Sequence, residues 1–276
     1  MKTKPDIKSM LHLLSIEFKK VQKYKTFWIL IGLLFLMMIL VFLGVQGFLD
    51  EVVKNSKTKS PVALPQISIY SFPQIWHNMT FLAGYFRPIL GIVMIILISN
   101  EFHNKTIRHN IINGLSRKDF FLAKVYMMLS IALVFVLLLF ISGTVLGMVN
   151  TGALSFGLFT EKIHFVGGFL LETIFYLFFV LFLSILLKRA GLSIGLLIIY
   201  TYIVEPIIVY KLPESLKSWM PLQAIGDIIQ LPNTQLMRLF DFQFSDTLYY
   251  SQLGIAALWA GLFAYLGYRL ITKKDL

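Results

Sequence analysis

Six long apolar runs limit what this chain can fold into. They fall at about residues 27–49, 78–99, 124–149, 164–187, 190–210 and 250–271. Each is close to the ~20 residues that carry a helix across ~30 Å of hydrocarbon. Lipid offers the backbone no hydrogen-bond partner, so a crossing segment must be a helix or part of a closed barrel. The alternation over ten-residue segments that marks barrel strands is absent. The expected fold is therefore an all-α integral membrane protein with six transmembrane helices, forming one transmembrane domain over residues 1–276. Composition agrees: 14% of residues are charged and 57% hydrophobic, whereas a soluble domain carries about 25% charged residues.

The first run is too long for a signal peptide, whose apolar core spans only ~7–15 residues. No small-residue cleavage site follows it, so a retained first span is expected. There is no cysteine, which removes disulfides, thiolate metal sites and cysteine nucleophiles. The net charge of +11 points to cytoplasmic loops beside a lipid bilayer, not to nucleic acid. Seven Lys or Arg precede residue 26, five lie at 105–124, two at 188–189 and three at 269–274. The opposite side carries Lys54, Lys57, Lys59, Lys162, Lys211, Lys217 and Arg238. The positive-inside rule then places both termini in the cytoplasm. Trp28, Trp76 and Trp219 fall near span ends, as interfacial aromatics do.

Residues 5–25 read as an amphipathic helix lying in the interface. Ile7, Met10, Leu11, Leu14, Phe18 and Val21 share one face, and Lys8, His12, Glu17, Lys19 and Lys20 lie elsewhere around it. Two outer segments are long. One, 50–77, is first polar and then aromatic. The other, 211–249, contains "WMPLQAIGDIIQLPN", too apolar for an ordinary loop and too short to span. Short outer helices between spans 5 and 6 fit it.

The polar stretch "NEFHNKTIRHNIINGLSRKDFFLAK", residues 100–124, separates spans 2 and 3. Asn104 can cap a short helix in which Ile107, Ile111 and Ile112 cluster. Asn113-Gly114 reads as its stop, since glycine tolerates the left-handed conformation that ends helices. Ser116 with Asp119 gives a capping-box pattern for the next helix. A flexible linker needs no such punctuation.

These residues resemble the membrane subunits of ABC-2 type exporters, the permeases without a fused ATPase. The matching features are Glu101 at the end of span 2, Thr106-x-Arg108, Ser116-Arg117, the pair Phe120-Phe121, and Lys124. Lys105 and Gly114-Leu115 depart from the Gly and Pro often found there. The resemblance implies that the short helix sits in a groove of a separate ATP-binding subunit and passes on its closure. Glu101, Thr106, Ile107, Arg108, Ile111, Gly114, Ser116 and Arg117 would carry that coupling. It further implies two copies of the ATPase, a second permease in a homodimer or heterodimer, and a bacterial inner membrane. ATP and Mg would bind in the partner, with no cofactor in this chain.

The rest of the sequence fits that division of labour. No G-x-x-x-x-G-K-[ST] cradle for phosphates occurs. No H-E-x-x-H occurs and the five histidines are scattered, so neither a metal site nor a catalytic residue stands out. Three charged residues lie within spans: Arg87, Glu172 and Glu205. A central charge costs roughly 2.5–3.5 kcal/mol on insertion scales, so it needs a partner or a wet path. Arg87 and Glu172 sit at similar depths, about 12–13 Å from the outer ends of their spans. They can meet as a pair or line a solvated cavity. Glu205 precedes Pro206, where a kink is expected. By the resemblance, spans 2 and 5 line the pathway, which makes Arg87 and Glu205 candidate cargo contacts. The aromatic run "TIFYLFFVLFL" of span 4 reads as packing or lipid contact. The competing expectation is a membrane-embedded enzyme or energy-independent transporter using Arg87, Glu172 and Glu205; a structural subunit that anchors partners is a third.

Overall fold

The computed structural model describes residues 7–59, 69–104, 115–152, 155–232 and 246–273. All regular structure among the described residues is helical. Helix α1 (Ile7–Gln22) turns at Lys23–Tyr24 into α2 (Lys25–Lys59). Next come α3 (Ile75–Gly84), α4 (Arg87–His103) and α5 (Arg117–Asn150). A short α6 (Phe156–Thr160) leads into α7 (His164–Leu187). Then α8 (Ala190–Ile199), a π-helix (Tyr200–Val204) and α9 (Glu205–Lys211) run on as one stretch. Two short helices, α10 (Glu214–Lys217) and α11 (Pro221–Gly226), precede α12 (Tyr250–Lys273).

Among the described residues, five helical stretches are long and apolar enough to cross a bilayer: Lys25–Phe48, Arg117–Asn150, Phe156–Leu187, Ala190–Lys211 and Tyr250–Thr272. The pair α3 and α4 supplies a sixth if taken as one bent span.

That bend corrects the expectation of one continuous second span. The two helices meet at 49°, and the cause is Pro88. Its ring has no N–H to give to the carbonyl four residues earlier, that of Gly84, and would collide with it. Accordingly α3 stops at Gly84. The freed carbonyl is not left bare, because Arg87 Nε donates to Gly84 O at 3.1 Å. Pro206 raises the same difficulty in span 5 and is met differently. Where a kink was expected, a five-residue π-helix precedes the proline, the insertion that relieves a broken hydrogen-bond ladder.

Helix α7 is the centre of the bundle, packed by α3, α4, α5, α8, α11 and α12. More than half of its apolar window, 56%, is buried, against 17% for α2 and for the α8–α9 stretch. A helix apolar on every side belongs inside. The aromatic run of span 4 is therefore core packing, with Phe169, Leu177 and Val180 fully buried. At the end of α7, Lys188 adopts a left-handed conformation (φ 56°) and its N–H returns to Ser184 O. This allows α8 to begin two residues later.

The far end is closed by aromatics. Trp76 is fully buried, stacks on Phe140 at 5.2 Å, and donates Nε1 to Phe159 O at 2.7 Å. It is thus a core residue and not the interfacial anchor its position suggested; Trp28 and Trp219 stay about half exposed. Gly143 and Gly147 on α5 make room for Trp76 and Phe72, since a Cβ at Gly143 would lie 2.9 Å from the Trp76 ring. Small residues four apart allow this close approach.

Candidate functional site

Four charged residues converge where α1, α4 and α5 meet. Lys124 Nζ on α5 contacts both Glu17 Oε2 on α1 and Glu101 Oε1 on α4. Lys20 Nζ, one turn along α1, lies 2.8 Å from Glu17 Oε1 and 3.3 Å from Glu101 Oε1. The two carboxylates and two ammonium groups balance. The side chain of Lys124 is 3% exposed and that of Glu17 5%, so that pair is shielded from water and from salt, while the side chain of Lys20 is 29% exposed. Burial alone would raise the Glu17 carboxyl, but the ammonium groups of Lys124 and Lys20 hold it below its usual value. Burial would likewise lower Lys20, and the carboxylates of Glu101 and Glu17 hold it above its usual value. Nearby, Asn100 Nδ2 donates to the Tyr24 hydroxyl at 2.7 Å.

This geometry revises the reading of the first helix. Its protein-facing stripe is Leu13, Glu17 and Val21, all buried. Leu11 and Phe18 stay exposed on another face. Val21 therefore does not share the face of Leu11, and Glu17 is an inward contact instead of a solvated charge. The helical spacing i, i+4, i+8 of the buried stripe was present in the sequence. A carboxylate in a lysine-rich stretch gives no sign of being buried.

The cluster ties together the two ends of the polar interruption. Glu101 is its second residue and Lys124 its last. Thr106, Ile107, Arg108, Ile111 and Gly114, with the short helix expected there, lie outside the described residues. Both flanks are described. Asn104 ends α4, its N–H bonded to Asn100 O; whether it also caps a following helix lies outside the described residues. Ser116 Oγ accepts from Asp119 N at 3.1 Å, the N-cap half of the expected capping box, and donates to Asp119 Oδ2 at 2.6 Å. Arg117 Nη1 reaches the carbonyls of Ile271 and Thr272 at 3.4 and 3.2 Å. A cation over the last carbonyls of a helix is favourable, and it ties the start of α5 to the end of α12.

The intramembrane charges form a second constellation. Arg87 Nη1 lies 3.3 Å from Glu172 Oε2, and Glu172 Oε1 accepts from Ile229 N at 3.2 Å. The pair borders a cavity of about 220 Å3 whose lining includes Thr80, Tyr85 and Gly226. Pair and cavity, posed as rivals in the sequence, occur together. Glu205 does not join them. Its Oε1 accepts from Gln223 N at 2.6 Å, in the first turn of α11, where orphan N–H groups favour a carboxylate. The two buried glutamates thus hold the segment 221–229 from either side.

The wider comparisons agree with the architecture. A family model described as an ABC-2 family transporter protein matches residues 13–204. That interval begins within α1 and runs through the bracketed interruption to the π-helix. Comparison with curated proteins gives no match. With well over half of its length matched, the chain belongs to the ABC-2 transporter family as a multi-pass, membrane-embedded transport subunit.

Proposed function

We propose that this subunit exports cargo from the cytoplasm of a bacterium across the inner membrane, driven by ATP hydrolysed in a separate chain. Membership of the family implies an ATPase partner. The reading assigns two copies of that ATPase, a second permease in a homodimer or heterodimer, and both termini to the cytoplasm. It also assigns docking on the partner to Thr106–Asn113, which includes Ile107, Arg108 and Ile111, and the hinge into span 3 to Gly114–Ser116.

The observation that carries this reading is the four-charge cluster. Because Lys124 grips Glu17 and Glu101 together, a push on the segment between them reaches α1, α4 and α5 at once. Arg117 extends the link to α12. ATP binding would close the ATPases and press this base inward. The far ends of the spans would then part and release cargo.

Arg87 is a pathway contact in this reading, since it borders a cavity. Glu172 and Glu205 hold the outer segment shut. Each accepts a main-chain N–H through one oxygen, which is the contact by which it holds that segment.

Affinity purification from the native membrane tests the proposal. It should bring down a soluble nucleotide-binding subunit. Thr106→Ala and Arg108→Ala should reduce transport-coupled ATP hydrolysis at least tenfold while the membrane part keeps its thermal stability. A protein that purifies alone and moves cargo without nucleotide would refute it.

A further inference from the structure

The cluster does not fill the space where it sits. Beside it lies a cavity of about 190 Å3, several times the ~30 Å3 share of one water. Its lining is graded along α4. Met94, Leu97 and Ile98 form an apolar floor, and Asn100 and Asn104 with Tyr24 form a polar rim. From Met94 to Asn104 is ten residues, about 15 Å of helix rise. The rim is level with the start of the first span at Lys25, the depth at which tyrosine and lysine anchor. The floor therefore lies within the apolar layer. A water-soluble anion has no use for such a floor; a lipid has both parts in this order.

The charge around the rim selects the headgroup. Lys20 and Lys124, the ammonium groups in the lining itself, are balanced by Glu17 and Glu101; the excess positive charge comes from Lys19, Lys23 and Lys25, exposed outside the lining on the helix end and the elbow flanking Tyr24. With Lys20 and Lys124 they make five ammonium groups among the described residues, against the two carboxylates Glu17 and Glu101. We infer that this cavity is a binding site for one anionic phospholipid, its phosphate at the lysine rim and an acyl chain against Met94, Leu97 and Ile98. The lipid would wedge α1 against α4 beside the ion cluster, so the membrane's anionic lipid content would set how firmly the first helix is seated. This inference rests on the cavity and its charge and is independent of the assigned ATPase, direction of transport and cargo.

The test uses the full chain purified in mild detergent and then placed in nanodiscs of phosphatidylcholine, with or without 30% phosphatidylglycerol. Lipid retained by the protein is read by native mass spectrometry, and stability by thermal unfolding. Wild type should retain one phosphatidylglycerol in at least tenfold preference over phosphatidylcholine and melt higher in the anionic discs. Leu97→Trp, which fills the floor, should abolish retention of either lipid. Lys19→Gln/Lys23→Gln/Lys25→Gln changes only exposed positions and leaves the core packing intact; it should keep an acyl chain but lose the preference for the anionic headgroup. Equal retention of both lipids by wild type would overturn the inference. So would a preference unchanged in the triple variant, or displacement of the lipid by inorganic phosphate at millimolar concentration.

Discussion

The two charged constellations of this molecule solve the same problem in opposite ways. At the base, four side chains from three helices neutralise one another, and the polar work is done between side chains. Midway along the bundle, Arg87 meets a single carboxylate, and both Glu172 and Glu205 turn to main-chain N–H groups. The first arrangement joins three helices to one another. The second pins a short segment against its neighbours.

Breaking the base should have the largest effect. Lys124→Met leaves Glu17 and Glu101 with only the partly exposed Lys20 between them, and loss of one member of a buried pair costs about 3–5 kcal/mol. Chemical unfolding in detergent should show that loss, and limited proteolysis should show α1 released. Adding Glu17→Gln to Lys124→Met should recover part of the stability; a purely additive double variant would refute the network. The same cluster sets a pH window. Glu17 has a lowered pKa, so its contribution is complete above its ordinary value of 4.5 and fades as pH falls through the lowered one. Lys20 has a raised pKa, so its contribution is complete below its ordinary value of 10.5 and fades as pH rises through the raised one. The seating of α1 should therefore hold between those limits and weaken outside them, and Glu17→Gln should remove the acid limb.

Arg87→Met should cost about 3 kcal/mol, the lower end of the range for a broken pair, because the cavity beside it admits some solvation. Replacing Arg87 and Glu172 together should harm folding less than replacing Arg87 alone; equal and additive losses would rule out the pair. Glu205→Ala leaves the Gln223 N–H at the start of α11 without its acceptor, at a cost of about 1–3 kcal/mol. Hydrogen exchange should then rise at residues 221–229 and leave α1 untouched. The smallest effect belongs to Ser116→Ala, about 1 kcal/mol for one helix cap, read as fraying of the first turn of α5.

The difference between the two regions also explains what the sequence revealed. A charge inside an apolar run is conspicuous, so Arg87, Glu172 and Glu205 stood out, and depth alone suggested that the first two could meet. Glu17 and Lys20 sit in a stretch where about half of the residues are polar, and only the packing of α1 on α5 distinguishes them from solvated neighbours. The apolar run of span 4 coincides with helix α7, His164–Leu187, although the helical stretch long enough to cross a bilayer begins at Phe156. The bend in span 2 was not legible, because Pro88 lies inside an unbroken apolar run and hydropathy carries no information about a missing N–H. Span 5 contains Pro206 and remains one helical stretch through its π-helix. Whether a proline breaks or bulges a helix depends on what can satisfy the freed carbonyl, and Arg87 is close enough to do so for Gly84.

The length of α2 has a mechanical consequence. Its 35 residues run without interruption from the elbow, making a rod of about 53 Å, against ~30 Å of hydrocarbon. Only 17% of its apolar window is buried by the rest of the chain, so few contacts tether it sideways. Its near end is hinged to α1 through Lys23 and Tyr24. By simple leverage, a tilt of about 10° at that hinge would sweep the distant tip by about 9 Å. A motion at the base too small to disturb the packing around Glu17 would thus be magnified into a displacement the width of another helix on the opposite surface of the membrane.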